Sequence, residues 1–206
     1  MNTKIKTVLE IILLVVFIGA AYFAYTTLSN NYRPDNNLMP SKNSTNQTEN
    51  DKTGQKESDT TEKQEEEKIA APNFTVYDME GNEVKLSDYT GKKPIILNFW
   101  ASWCPYCVEE MPYFEESYKT YGDEIEFFMI DCVDGSRETK EKGQKFIKEN
   151  KYTFPVYFDT ENSAIPAYEA SSLPTSVFID KDGNVIAYQT GRLTKEMLQK
   201  GIDLIK

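Results

Sequence analysis

Hydrophobic and polar positions divide the chain into three regimes. From about Val8 to Leu28 the run "VLEIILLVVFIGAAYFAYTTL" is apolar all round, with Glu10 and two threonines as its interruptions. Roughly 20 such residues span a bilayer core at 1.5 Å per residue. From Ser29 to Lys68 the pattern collapses: after Tyr32 almost every position is polar, charged or proline. Such a stretch buries too little surface to offset the entropy of ordering it. From Ile69 onward apolar positions return in short runs with strand and helix periods.

The first regime predicts a signal anchor over residues 1–28, in place of the shorter apolar core of a secretory leader. Gly19 and Ala21 are small enough to serve at a cleavage site. Lys4 and Lys6 precede the span, so the positive-inside rule places the N-terminus in the cytoplasm and the remainder outside. The second regime, 29–68, predicts a flexible tether with a reach of about 35 Å. The third, 69–206, predicts one domain of ordinary size.

Within that domain "NFTVYDMEGNEVKLSD" predicts a hairpin. "PIILNFW", "IEFFMIDCV" and "FPVYFD" predict strands, the first covered on both faces. Pro105 to Tyr121 predicts a helix with Pro112 as a kink. "SRETKEKGQKFIKEN" predicts an amphipathic helix and "SAIPAYEA" a short one. "TSVFIDKDGNVIAYQ" predicts a hairpin turning at Asp182-Gly183. "TKEMLQKGIDLIK" predicts a last helix capped by Thr194. The order β-β-β-α-β-α-β-α-β-β-α predicts an α/β layer architecture with a mixed central sheet.

Charge and composition narrow the chemistry. The formal net charge is −10, which argues against nucleic acid as a partner. There is no histidine, which removes Ser-His and Cys-His nucleophile pairs and histidine-ligated metals within the chain. Three cysteines remain, two of them in "NFWASWCPYCVEEMP".

Cys104 follows a buried strand and opens a helix, so its sulfur faces unpaired N–H groups and the positive end of the helix dipole. Pro105 suits the first turn. Thiols in such C-x-x-C sites titrate from about 3.5 to 7.5. This predicts an ionised, exposed Cys104 that attacks a partner's disulfide and a Cys107, one turn in, that resolves the mixed disulfide. A zinc site is the weaker reading, because Cys132 is the only further cysteine. A structural staple is weaker too, since so short a loop gains little by closure. No cofactor beyond the redox-active Cys104–Cys107 disulfide is expected.

"APNFTVYDMEGNEVKLSDYTGKKPIILNFWASWCPYCVEEMP" and "SSLPTSVFIDKDGNVI" resemble two signatures of the membrane-anchored thioredoxin-like thiol-disulfide oxidoreductases of the ResA/TlpA type. The resemblance spans about Ala71 to Lys206. It implies a thioredoxin-like fold with an added N-terminal β-hairpin and a central insertion. It implies that Pro174 is a cis-proline facing the cysteines, with the Leu173 backbone free to pair with a partner's extended chain. Trp103 would flank the pair, Pro105 and Tyr106 would be its intervening dipeptide, and Pro112 the helix-kinking proline. Cytosolic thioredoxin has a buried aspartate six residues before its first cysteine. Asn98 stands there in this chain and does not titrate. ResA-like proteins use a glutamate three residues after the second cysteine, here Glu110, which shares a helix face with Cys107. The plain alternative for Glu110 is a solvated carboxylate, as expected of Glu109.

Cys132 reads first as a small buried apolar residue, and otherwise as a regulatory or resolving thiol. Tyr106, Tyr113 and Phe114 either rim a docking surface or belong to the core. The resulting expectation is an extracytoplasmic enzyme that reduces disulfides in exported proteins, with apocytochrome c among the client classes the resemblance suggests. A membrane electron donor of the CcdA/DsbD type would supply it, and membrane lipid would hold the N-terminal helix. The same chemistry reversed gives a disulfide-forming oxidase. A thiol peroxidase is disfavoured, because Leu97, not proline, stands seven residues before Cys104 and a second cysteine follows at once. A tethered binding module with inert cysteines is the reading furthest from these.

Overall fold

The computed structural model of the chain describes residues 39–40 and 68–206. The expected anchor over 1–28 lies outside the described residues, as does the expected tether apart from Met39–Pro40 and Lys68. Among the described residues no helix is long and apolar enough to cross a membrane.

The strands are β1 (Met39–Pro40), β2 (Ile69–Ala70), β3 (Thr75–Tyr77), β4 (Glu83–Lys85), β5 (Ile95–Trp100), β6 (Glu126–Asp131), β7 (Val156–Phe158), β8 (Thr175–Ile179) and β9 (Asn184–Thr190). The helices are α1 (Pro105–Tyr121), α2 (Lys140–Asn150), α3 (Ala164–Ala167) and α4 (Lys195–Ile205). A 3-10 turn covers Leu86–Asp88. The sheet order is β1-β9-β8-β5-β6-β7-β3-β4, and β2 also pairs with β9. β5 runs parallel to β6, and β6 to β7, while β8 and β9 are antiparallel additions. Met39–Pro40 depart from the featureless tether by pairing with Tyr188 and Ala187 of β9.

β5 is central because all six of its residues are buried, which demands cover on both faces. Alternation then sorts its side chains. Ile96 and Trp100 join Phe127 and Met129 of β6 on one face, under α1, α2 and α4. Ile95, Leu97 and Phe99 join Phe128 and Ile130 on the other, under α3 and the 3-10 turn. Gly183, with φ +88°, turns the chain between β8 and β9, a conformation that glycine reaches without a Cβ penalty. Thr139 and Thr194 cap α2 and α4 by accepting from the N–H of Lys142 and Met197.

The site follows from this layout. β5 ends at Trp100, the chain turns through Ala101–Trp103, and α1 starts directly after Cys104. β8 lies beside β5 with Ser176 opposite Asn98, and the segment just before it carries Leu173 and Pro174.

Candidate active site

Cys104 occupies the N-cap of α1, with extended backbone angles, and Pro105 takes the first helical position. Its Sγ accepts from the Cys107 N–H at 3.2 Å. The sulfur thus sits against helix-terminal N–H groups that otherwise lack partners. Cys104 and Cys107 form a disulfide, with Cα atoms 5.2 Å apart. The expectation of an exposed Cys104 needs correction: it is 3% exposed and Cys107 0%. The capping geometry turns its sulfur back onto the helix end, so a reacting group meets only a sliver of it. The exposed surface around the pair belongs to Trp103 and Tyr106, at 37% and 56%.

α1 runs without a break from Pro105 to Tyr121, with Pro112 inside it on the exposed side. Its buried stripe is Cys107, Glu110, Met111, Phe114 and Glu115. Phe114 is core, Tyr113 packs half-buried against that core, and Tyr106 alone of the three aromatics stands out at the surface. Glu109 is exposed and forms a 2.9 Å ion pair with Arg192.

Glu110 is fully buried, one turn beyond Cys107 on the same face. One carboxylate oxygen accepts from the Asn98 side-chain amide at 2.8 Å, the other from the Leu193 N–H at 2.8 Å. The Asn98 amide also donates to Ser176 Oγ at 3.0 Å. Burial pushes the Glu110 carboxyl up to about 7, against the opposing pull of the Leu193 N–H, the Asn98 amide and the Arg192 charge. An acid poised there exchanges protons readily at neutral pH. Asn98 therefore does have a place at the site, as the group that orients this carboxylate.

The Leu173–Pro174 peptide is cis. Pro174 is buried, and its carbonyl accepts from the Gly191 N–H at 2.8 Å. Leu173 is half-buried and packs against both core clusters. Cys132 is a buried free thiol in the core cluster on the sheet face opposite Cys104 and Cys107. Burial pushes it well above the ordinary thiol range, helped by Asp131 and Asp159. At neutral pH it stays protonated. No group of three or more metal-ligating side chains occurs among the described residues.

The sequence reading missed four partners of this site. Ser176 comes from β8, and it meets Asn98 only through the register of β8 against β5. The Leu193 N–H and Arg192 come from the loop before α4, which no local pattern ties to α1. Glu138, from the loop after β6, accepts at one oxygen from the Ser102 N–H (2.9 Å) and the Ser102 hydroxyl (2.7 Å), just ahead of Cys104.

A mixed, helix-covered sheet with a disulfide at the N-terminus of α1 and a cis-proline before β8 defines a thioredoxin-like domain. Residues 68–188 match the AhpC/TSA family. Thiol-disulfide oxidoreductase ResA of Bacillus thuringiensis subsp. konkukian is 41% identical over 131 residues, covering 63% of this chain and 73% of that protein. ResA of Geobacillus kaustophilus is 38% identical over 137 residues, covering 66% and 76%. The crystal structure of StoA from Bacillus subtilis superposes with a TM-score of 0.56 at 27% identity, covering 65% of this chain and 98% of that one. The chain belongs to the AhpC/TSA family and, within it, is a thiol-disulfide oxidoreductase of the ResA/TlpA type.

Proposed function

We propose that this enzyme reduces disulfides in exported proteins on the outer side of the cell membrane, with Cys104 as nucleophile, Cys107 as resolving thiol and Glu110 as proton acceptor. The observation that carries the reading is the buried Glu110, held between Asn98 and Leu193 one turn from Cys107. In the reduced enzyme the Cys104 thiolate attacks one sulfur of the client disulfide. A mixed disulfide forms and the client's other sulfur leaves as a thiolate. Cys107 gives its proton to Glu110 and attacks Cys104 Sγ. The Cys104–Cys107 disulfide closes, the second client thiol is released, and two electrons have passed to the client. Trp103, Tyr106 and the Leu173 backbone before cis-Pro174 receive the client chain as an added strand.

The apolar run Val8–Leu28 after Lys4 and Lys6 supports a signal anchor with the catalytic domain outside, tethered by residues 29–68. Tethering raises the effective concentration of the domain for membrane-bound partners. A membrane carrier of the CcdA/DsbD type then returns the electrons, and apocytochrome c is a client class that fits. The test is the reduction potential of the Cys104–Cys107 pair, from equilibration of the full chain in thiol redox buffers. A value near or below about −270 mV, the thioredoxin figure, is expected of a reductase. A value near about −120 mV would reverse the direction and make it a disulfide-forming oxidase.

A further inference from the structure

The loop after β6 brings a cation to the mouth of the site. Asp134 folds this loop on itself: one of its oxygens accepts from the N–H groups of Ser136 (2.8 Å) and Glu138 (2.9 Å). The Glu138 carbonyl in turn accepts from the N–H groups of Asp134 and Gly135. Lys142 of α2 holds the loop from below by donating to the carbonyls of Ser136 (2.9 Å) and Arg137 (2.8 Å). Glu138 ties it to Ser102. Arg137 is thereby set over the Trp103 ring, its guanidinium carbon 3.4 Å from the ring centroid. Trp103 is the residue before Cys104.

Arg137 is exposed, and among the described residues its guanidinium has neither an ion-pair partner nor a hydrogen bond to the protein. Neither of the two nearest acids in sequence bonds it: Asp134 is engaged by its own loop, and Glu138 turns one oxygen to Ser102 while its other oxygen is buried without a hydrogen-bond partner among the described residues. A stacked guanidinium keeps the edge of its planar fork free, and that edge matches a carboxylate with two parallel N–H donors. In a chain of net charge −10, this is a local positive contact beside the disulfide.

We infer that Arg137 is a recognition residue that selects client segments carrying a carboxylate next to the reactive cysteine. This rests on the reading of Cys104 as the nucleophile. Stacking on Trp103 fixes the guanidinium in place before the client arrives, so little side-chain freedom is lost on binding. The preference runs against the overall negative charge of the chain, which by itself favours basic clients.

The test uses the full chain carrying Cys107→Ser, which halts exchange at the mixed disulfide. Its reduced form is mixed with three peptides, each closed by one disulfide, that differ only in having Glu, Gln or Lys beside the attacked cysteine. The Glu peptide is expected to form the mixed disulfide roughly fivefold faster than the Gln peptide, the upper range for a solvent-exposed ion pair. Arg137→Gln brings that ratio to about one, and Arg137→Lys, which keeps charge without the fork, leaves it in between. A purely structural Arg137 would slow all three peptides alike with the ratio unchanged. A Glu-to-Gln ratio at or below one in the parent protein, or one that survives Arg137→Gln, overturns the inference. If no peptide reacts at all, the nucleophile assignment fails and the inference falls with it.

Discussion

At the scale of single residues, the proposed chemistry of the pair rests on Glu110 more than on any other side chain. Glu110 shares the buried stripe of α1 with Glu115, and its two oxygens accept one hydrogen bond each, from the Asn98 amide and the Leu193 N–H. Burial works to neutralise it while those donors and Arg192 work to ionise it. The balance leaves the carboxyl at about 7, so it switches charge within the physiological range. Glu110→Gln keeps the shape but offers one acceptor oxygen where Glu110 offers two, so it retains one of the two bonds unless the Asn98 amide turns over, and it cannot take a proton. Client-disulfide reduction is expected to fall by roughly 10²-fold, the low end for a positioned proton acceptor. Its pH profile should also lose the inflection near pH 7. The readout is the rate of insulin or peptide-disulfide reduction from pH 5 to 9. If the inflection persists in Glu110→Gln, the proton acceptor is another group.

At the scale of elements, α2 lies over β6 because Gly143 allows it. A Cβ at Gly143 would overlap the Asp131 carboxylate and crowd the Phe158 ring. Gly143→Ala gains about 1 kcal/mol of helix propensity. Overpacking takes back about 1–3 kcal/mol in a filled core, and backbone displacement adds to it. A net loss in urea denaturation is expected, and Asp131→Ala should relieve much of it, so the two changes will not add. A fully additive pair would mean that α2 shifts aside without meeting Asp131. The order of elements was legible because their patterns are local: an apolar run broken only by Asn98 for β5, Asp182-Gly183 between two runs for the β8–β9 turn, a threonine ahead of an apolar period for α4. Cys104 and Cys107 were legible from their spacing at one strand-helix junction, and Asn98 and Glu110 from the resemblance to the ResA/TlpA type. What was not legible comes from elsewhere in the chain. Arg137 and Glu138 reach the Trp103 loop across the sheet end, and the Leu193 N–H reaches Glu110 from the loop before α4. Periodicity carries no information about which loop closes over which helix end.

The molecule as a whole also carries a buried acid, Asp131, that the proposed pair chemistry does not use. Asp131 ends β6 with both carboxylate oxygens buried and without a hydrogen-bond partner among the described residues. Burial pushes its carboxyl up to about 9, with Glu138 and Asp134 adding repulsion. Unfolded, the same group titrates near about 3.9. Between those values the folded state holds a proton that the unfolded state has released, so rising pH destabilises the fold by about 1.4 kcal/mol per unit. Glu110 acts in the same direction between about 4.3 and its folded value, then contributes no further slope. Above pH 7 the slope is therefore chiefly that of Asp131, until Cys132 begins to add to it near the ordinary thiol range. Urea denaturation of the oxidised protein at pH 7, 7.5 and 8 should show stability falling along that line. Asp131→Asn should flatten it over that interval. Glu110→Gln should leave the slope above pH 7 intact while reducing the one below. A parent protein whose stability holds level from pH 7 to 8 would mean that Asp131 is ionised in the fold and that a cation or donor meets it there.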